Sequence, residues 1–403
     1  MTGTSLVGTD VELTVGPVAH GGHCVGRSEG RVVFVRHALP GEQVRAVVTE
    51  GGTASRYLRA DAVAVVSAAP DRVPQRCPVA GPGGCGGCDW QHVSVEGQRA
   101  LKAEVVAEQL RRLAGVERAV QVEAVPGDAA GLGWRTRLRL AVDREGRAGL
   151  RRHRSHQVVH LADCPLSHPA VEVGSLLARR WPGAGSLAVA VSVATGDRVV
   201  LVDGVAQGRS RLAEHAAGRS WRVTGDGFWQ VHPGAADALV DAVRAQLRPR
   251  PGEQLVDLYA GVGLFAGALA DDLGPAGGVD AVEAAAGAVR DARRNLHDRP
   301  GVRLHEARVD RWLRGGTVPR ADVVVLDPPR IGAGAEVVRR IVGLGPRAVA
   351  YVACDPAALA RDVGTFRGLG WELTALRALD TFPLTHHVEC VALLQRGTGG
   401  EIS

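Results

Sequence analysis

Residues 254–265 read Gln-Leu-Val-Asp-Leu-Tyr-Ala-Gly-Val-Gly-Leu-Phe, and the C-terminal half of the chain is organised around this stretch. An apolar strand runs into a turn with Gly261 and Gly263, which lets a ligand approach the backbone and aims the next helix N-terminus at it. The following strand ends at Glu283, where a carboxylate suits ribose hydroxyls. Strands then alternate with helix-length segments, which predicts a doubly wound α/β domain over 216–403.

The turn has the form Asp257-x-x-x-Gly261-x-Gly263, whereas the dinucleotide-binding fingerprint needs a third glycine. This form is more like the loop that binds S-adenosylmethionine (SAM) in class I methyltransferases. The alternative is an ordinary strand-to-helix turn in another α/β enzyme. The turn therefore favours SAM as the cofactor, with Gly261 close to it.

Asp327 and Cys354 each directly follow a predicted strand, at the ligand-binding edge of the sheet. In Asp327-Pro-Pro-Arg330 the two prolines hold the loop rigid and place the carboxylate at the cleft. Cys354 follows a strand and is a candidate nucleophile, with a small buried hydrophobe as the plain alternative. A carboxylate such as Glu389 in an otherwise apolar strand is costly unless it is used, so it is a candidate general base.

The first 66 residues contain short β-rich segments separated by glycine and proline, which predicts a small barrel. Cys77, Cys85 and Cys88 follow in a glycine-rich loop, and Cys164 is a candidate fourth ligand. Four thiolates suit zinc and an iron–sulfur cluster equally on ligand count. The seven cysteines are an odd number without a secretory context, which argues against a disulfide framework.

The composition is that of a globular protein, because 45% of the 403 residues are hydrophobic and 23% are charged. The sequence has neither a membrane-spanning apolar run nor a secretory pattern at its start, so we expect a cytoplasmic protein without membrane attachment. The net charge is +5, and arginines occur at positions 135, 137, 139, 144, 147, 151, 152 and 154. On one face they would form a phosphate-binding stripe. Because Lys102 is the only lysine, an arginine-biased surface is the alternative.

In their order along the chain, these motifs resemble those of the bacterial RNA (uracil-5-)-methyltransferases. The resemblance is to the branch with an N-terminal TRAM domain and a [4Fe-4S] cluster, and to its 23S rRNA enzymes in particular. It covers essentially the whole chain and includes 19–27, Phe228-Trp-Gln230-Val-His232 and Phe382-Pro383. It implies a TRAM barrel that binds RNA at 1–67 and a central iron–sulfur and RNA-binding domain at 68–215. A methyltransferase domain would follow at 216–403, with the helix at 95–117 packed against it.

The resemblance also implies roles for individual residues. Cys354 matches the family nucleophile and Glu389 the base. The positions that match SAM-binding residues are Gln230, Tyr259, Glu283 and Asp327. The positions that match the cluster ligands are Cys77, Cys85, Cys88 and Cys164. A [4Fe-4S] cluster with four ligands would be closed and structural.

The chemistry that the resemblance implies is addition of the Cys354 thiolate to uracil C6, methyl transfer to C5 and removal of the C5 proton by Glu389. A uridine in folded RNA would be flipped out first. The aromatic residues that could stack on it are Phe228, Trp229 and Phe382. The partner would be RNA and the protein a monomer.

The sequence departs from the family pattern at several positions. Asp355 replaces the usual Asn after the nucleophile, which disfavours ionisation of Cys354 unless the new carboxylate is paired. The other departures are Ala260, His232, Leu264 and Arg308. Three alternatives therefore stay open: a methyltransferase for the T-loop uridine of tRNA, an amino-methyltransferase that uses Asp327-Pro-Pro, and a non-catalytic RNA-binding or assembly protein with a relic methyltransferase fold.

Overall fold

The computed structural model describes residues 4–315 and 320–397, and its first part is a closed five-stranded barrel. Apolar side chains alternate along the strands, so that Val33 and Val35 are fully buried inside the barrel. The small barrel predicted from the sequence is confirmed. In barrel order β1-β2-β3-β5-β4, the strands are β1 (Asp10–Val18), β2 (Cys24–Ser28), β3 (Arg31–Arg36), β5 (Tyr57–Ser67) and β4 (Gln43–Glu50).

A helix and a short strand connect the cysteine loop to the C-terminal part. Helix α1 (Val95–Gln109) begins at Ser94, whose hydroxyl accepts a hydrogen bond from the Gly97 amide at 3.0 Å, and it continues into a π-helical turn at Leu110–Ala114. Strand β6 (Val122–Ala124) then pairs with the strand Trp371–Asp380. The apolar side of this segment shares one core with the C-terminal sheet through Val106, Leu110, Leu359, Val363 and Phe366.

The central part is a six-stranded antiparallel sheet followed by a separate hairpin. The sheet has the order β12-β11-β10-β7-β8-β9. Its elements are β7 (Arg137–Val142), β8 (Ala148–Arg151), β9 (Val158–Val159), a 3-10 turn (Pro169–Val171), α2 (Val173–Ala178), β10 (Ser186–Val191), β11 (Arg198–Val202) and β12 (Val205–Ala206).

The hairpin consists of β13 (Arg211–Ala216) and β14 (Arg219–Thr224). The predicted boundary between residues 215 and 216 falls inside it. Trp221 is fully buried in the core of the C-terminal part, together with Leu239 and Leu296. The hairpin therefore packs as part of the C-terminal fold.

The C-terminal part is an eight-stranded sheet with the order β17-β16-β15-β18-β19-β21-β20-β6 and helices along it. Its elements, besides a 3-10 turn (Ala270–Leu273), are α3 (Ala235–Leu247), β15 (Gln254–Leu258), α4 (Leu264–Leu269), β16 (Gly278–Glu283), α5 (Ala286–Asn295), β17 (Val302–Glu306), α6 (Val309–Trp312), β18 (Val323–Leu326), α7 (Ala335–Gly343), β19 (Ala348–Ala353), α8 (Pro356–Arg367), β20 (Trp371–Asp380) and β21 (Glu389–Arg396).

Strands β15 to β19 are parallel, and β21 runs antiparallel between β19 and β20. Helices cover both faces, so β18 is fully buried along its whole length. The doubly wound α/β prediction is confirmed. Because β21 is antiparallel, its first residue lies at the edge where the parallel strands end. Within the described ranges, no helix is long and apolar enough to span a lipid bilayer.

Candidate active site

The register between β19 and β21 sets Cys354 opposite Glu389. The last paired positions are Ala353 and Cys390, and one further step along both strands reaches Cys354 and Glu389. Cys354 is half-buried, and the Glu389 residue is only 5% exposed. A thiol and a carboxyl group thus share the end of two neighbouring strands, beside the loop that follows Asp327.

Both groups are held toward their protonated forms. Burial, together with the charges of Glu389, Asp327 and Asp355, raises the pKa of Cys354 to about 12, while Arg330 opposes the rise. Burial and the Asp327 charge raise the pKa of Glu389 well above its ordinary value. A nucleophilic Cys354 therefore has to lose a proton that its surroundings retain.

Asp355 is paired. Its carboxylate accepts a hydrogen bond from the Ala358 amide at 2.8 Å and so caps α8, and its Oδ2 lies 3.0 Å from Nε2 of His20. Burial opposes ionisation, but these hydrogen bonds lower the pKa of Asp355 below its ordinary value. The charge that the sequence placed beside Cys354 is thus held by a residue of the barrel.

Loops from two distant parts of the chain meet beside Cys354. A small pocket of about 70 Å³ is lined by His20 and Gly22 from the barrel and by His386 and His387 from the loop before β21. Gly22 has φ of +80°, and a Cβ there would lie 2.7 Å from Cβ of His386, so the two loops touch only because this residue is glycine.

A second cleft lies at the ends of β15 and β16. Its volume is about 520 Å³, within the range of small-molecule sites, and Tyr259, Glu283 and Arg308 line it. The Glu283 carboxylate accepts hydrogen bonds from the Gly261 amide at 2.9 Å and the Ala285 amide at 2.6 Å. The glycine turn and the acidic residue of the next strand are thus joined by a hydrogen bond.

Two carboxyl groups lie behind this cleft. The buried Asp257 accepts a hydrogen bond from the Ala266 amide at 2.8 Å in the first turn of α4. Burial raises the pKa of Asp257 and of Asp327 to about 7. Asp327 and the buried Gln230 are not among the residues that line the cleft, so the structure brings Tyr259 and Glu283 together there but not these two.

The chain is similar to known proteins over nearly its whole length. Residues 4–63 match the TRAM domain, and residues 298–397 match tRNA (Uracil-5-)-methyltransferase. An uncharacterized RNA methyltransferase of Streptomyces avermitilis is 48% identical over 98% of this chain and 100% of that protein. The 23S rRNA (uracil(1939)-C(5))-methyltransferase RlmD of Methylococcus capsulatus is 33% identical over 94% of this chain and 95% of that protein.

The chain belongs to the RNA (uracil-5-)-methyltransferase family. It is accordingly an RNA (uracil-5-)-methyltransferase. The solved tRNA (uracil-54, C5)-methyltransferase of Pyrococcus abyssi, in complex with S-adenosyl-L-homocysteine, has the same fold with a TM-score of 0.68. That similarity covers 94% of this chain and 99% of the other at 23% identity.

The four predicted cluster ligands of this uracil-5-methyltransferase line one enclosed pocket, together with Arg135. Cys77, Cys85, Cys88 and Cys164 are each 6–8% exposed. Peptide and side-chain nitrogens point at the sulfurs, since the Gly87 amide donates to Cys85 Sγ at 3.3 Å and Gln91 Nε2 to Cys88 Sγ at 3.5 Å. Among the described residues, however, no three His, Cys, Asp or Glu side chains are arranged closely enough to hold a single metal ion.

Several of the arginines at 135–154 are held in ion pairs within the protein. Arg137 pairs with the buried Glu214 at 3.1 Å, and Arg147 pairs with Asp143 at 2.8 Å. These side chains are engaged within the protein, and Arg135 lies at the cysteine pocket. Neighbouring carboxylates thus hold part of the set, while Arg139, Arg144, Arg151 and Arg152 are exposed, and the single phosphate-binding face stays a prediction.

The three aromatic residues considered for base stacking in this methyltransferase differ in exposure, and Phe228 is the most open of them. It is 71% exposed, whereas Trp229 is buried against Trp221 and Phe382 packs edge-on against Trp134. Sequence reasoning also missed His20. It assigned 19–27 to the barrel alone, and the one signal there was the Gly21-Gly22 pair, which marks a close approach of two backbones.

Proposed function

We propose that this enzyme methylates C5 of a uridine in 23S rRNA, with Cys354 as nucleophile and Glu389 as base. The observation that carries the proposal is the register that sets Cys354 opposite Glu389 beside the Asp327 loop. A thiol and a carboxyl group at one strand end can both reach one pyrimidine ring, the thiol at C6 and the carboxyl group at C5. An amino-methyltransferase that uses only Asp327 would need neither group.

The steps follow from these side chains. The Cys354 thiolate adds to C6, which makes C5 a carbon nucleophile. SAM, when bound, would supply the methyl group that C5 takes up, and S-adenosylhomocysteine would be the leaving group. Glu389 as carboxylate removes the C5 proton, and the resulting electron pair restores the ring double bond as the thiolate leaves. Arg330 favours the ionised forms of Cys354 and Glu389, because its positive charge opposes the rise in the pKa of each group.

SAM would occupy the cleft of Tyr259 and Glu283. The carboxylate of Glu283 is oriented by two backbone amides and would accept hydrogen bonds from ribose hydroxyls. Gly261 would let the backbone approach the ligand, and Asp327 would stand between the cofactor and Cys354. Gln230 would contact SAM from the loop that carries Phe228. Titration calorimetry with S-adenosylhomocysteine tests this, and Glu283→Ala should lose most of the binding heat.

A [4Fe-4S] cluster held by Cys77, Cys85, Cys88 and Cys164 would be structural. Four buried thiols around one pocket, with N–H groups directed at two of the sulfurs, have the donor chemistry of such a cluster. Iron and sulfide analysis of anaerobically purified protein is the test. Cys85→Ser should lower both contents, whereas Cys24→Ser, a buried thiol of the barrel, should leave them unchanged.

The RNA substrate is tested by nucleoside mass spectrometry of ribosomal and transfer RNA from cells with and without the gene. Loss of 5-methyluridine from 23S rRNA alone is the expected result. Loss from tRNA would keep the mechanism and replace the substrate by the T-loop uridine. No loss from either, with no transfer of labelled methyl by the purified protein, would favour a non-catalytic RNA-binding protein. The proposal includes a cytoplasmic monomer in which TRAM barrel, central domain and catalytic domain all take part.

A further inference from the structure

A further polar cleft lies between the barrel and the loop after β8, apart from the pocket at Cys354 and the cleft at Glu283. Its volume is about 310 Å³, which is enough for one nucleotide. The barrel contributes Phe34, Arg36, Arg59 and Asp61, and the opposite wall carries Arg152 and Arg154. None of these residues lines the pocket at Cys354 or the cleft at Glu283.

Asp61 is the notable acceptor in this cleft. Its side chain is half-buried on β5, and among the described residues its carboxylate has neither a hydrogen bond nor an ion pair. Burial raises the pKa of Asp61, while the charges of Arg36 and Arg152 oppose the rise. The Asp61 oxygens are not among the buried polar atoms, so they are open to the cleft, and a ligand that donates hydrogen bonds to both would replace water there.

The rest of the cleft suits a nucleotide. Phe34 offers an aromatic surface, with the Arg59 guanidinium 5.5 Å from its ring centre. Glu50 holds Arg59 at 3.3 Å and Arg154 at 3.5 Å, so these two cations are positioned at the rim. Arg152 is exposed on the opposite wall and can reach a phosphate.

We propose that this cleft binds one guanine nucleotide of the RNA substrate, outside the methylation site. Guanine is the RNA base whose pairing edge presents two adjacent donors, N1–H and the N2 amino group, and a carboxylate accepts both at once. Asp61 accepts from that edge, Phe34 contacts the base, and Arg152 neutralises the phosphate. The inference rests on the proposed function in one respect, namely that the substrate is RNA.

The test compares three fluorescein-labelled oligouridines that carry a single guanosine, inosine or adenosine at the same central position. Inosine keeps N1–H but lacks the N2 amino group, so it removes one of the two hydrogen bonds. Fluorescence anisotropy with the full-length protein should show a dissociation constant about fivefold to tenfold lower for the guanosine oligonucleotide. Equal affinity for the three would overturn the proposal without any variant.

Two variants separate base from phosphate. Asp61→Asn should abolish the preference for guanosine, whereas Asp10→Asn, a carboxylate elsewhere on the barrel, should keep it. Arg152→Gln should weaken the binding of all three RNAs equally. It should also reduce the slope of log affinity against log salt concentration by about 0.7. Retention of the guanosine preference by Asp61→Asn would refute the assignment. Methyl transfer measured on the same preparations is independent: no transfer to any RNA, with the guanosine preference intact, would overturn the proposed function and leave this site standing.

Discussion

His20 of the N-terminal barrel lies 3.0 Å from the carboxylate of Asp355, the residue that follows the candidate nucleophile. The two are 335 positions apart in the chain. The same carboxylate caps α8 through the Ala358 amide. The contact ties the N-terminal barrel of this family member to the strand end that carries Cys354, so a movement of the barrel changes the surroundings of the thiol.

Removing the charge of Asp355 should make Cys354 more acidic. Asparagine still caps the helix, but the negative charge that raises the pKa of Cys354 is gone. The pH midpoint of iodoacetamide alkylation, followed by mass spectrometry of the Cys354 peptide, should move to lower pH in Asp355→Asn. A shift of one unit would raise the thiolate fraction about tenfold. An unchanged midpoint, equal to that of an Asp10→Asn control, would mean that the carboxylate does not act on the thiol.

Blocking the base should trap the covalent intermediate. Glu389→Gln is neutral and similar in shape, so Cys354 can still add to C6 while the C5 proton stays in place. With labelled RNA and SAM, a denaturing gel should show an enzyme–RNA adduct for this variant and none for Cys354→Ala. Cys354→Ala should also lose methyl transfer while it still binds RNA. Glu372→Gln, on the exposed side of β20, is the control and should turn over normally. Normal turnover by Glu389→Gln would exclude the residue as base.

Gly22→Ala should separate the two loops that meet above Cys354. Its φ of +80° disfavours alanine, and the new Cβ would clash with His386. Gly30→Ala provides a matched control, since its φ is +77° and nothing lies within 4 Å of the added carbon. Both variants should lose about 1 kcal/mol of stability from backbone strain, but only Gly22→Ala should lower kcat for methyl transfer. Equal kcat values would show that the contact with His386 has no part in turnover.

Lys102 should be essential for stability. It is fully buried and donates hydrogen bonds to Asp380 and to the Phe382 carbonyl. Lys102→Met would leave the buried Asp380 carboxylate with Arg99 alone, at a cost of about 3–5 kcal/mol. Urea unfolding measures this, and Arg112→Met, an exposed change on the adjoining turn, should cost less than about 0.5 kcal/mol. A similar midpoint for both variants would contradict the role of the buried pair.

Much of the C-terminal architecture can be predicted from the sequence alone. The strand at 254–258, its glycine turn and the strand ends at Asp327 and Cys354 follow from local hydrophobic runs and turn residues. The alternation of strands and helices then requires these ends to share one edge, because parallel strands connected by helices all point the same way. Glu389 could be singled out as a candidate base, since a carboxyl group in an apolar strand is so costly. Its place at this edge follows only from the antiparallel pairing of β21 with β19.

Other features depended on the packing of distant segments. The strand at 122–124 joins the C-terminal sheet although it lies in the segment assigned to the central domain. The hairpin at 211–224 packs on the same fold, although the predicted domain boundary divides it. Neither has a local signal, because three residues or a lone hairpin do not specify which sheet they cover. The same holds for the arginines at 135–154, several of which are held by carboxylates that only folding brings near.

Residue identity and periodicity thus determined the α/β domain, its glycine turn and the candidate nucleophile and base, because strand ends and turns depend on residues that are neighbours in the chain. The contact of His20 with Asp355, the pair of Lys102 with Asp380 and the cleft around Asp61 arose only from the folded chain. Each joins groups on separate elements, and which of them meet is decided by how the barrel, the helix at 95–109 and the sheet bury their apolar surfaces against one another.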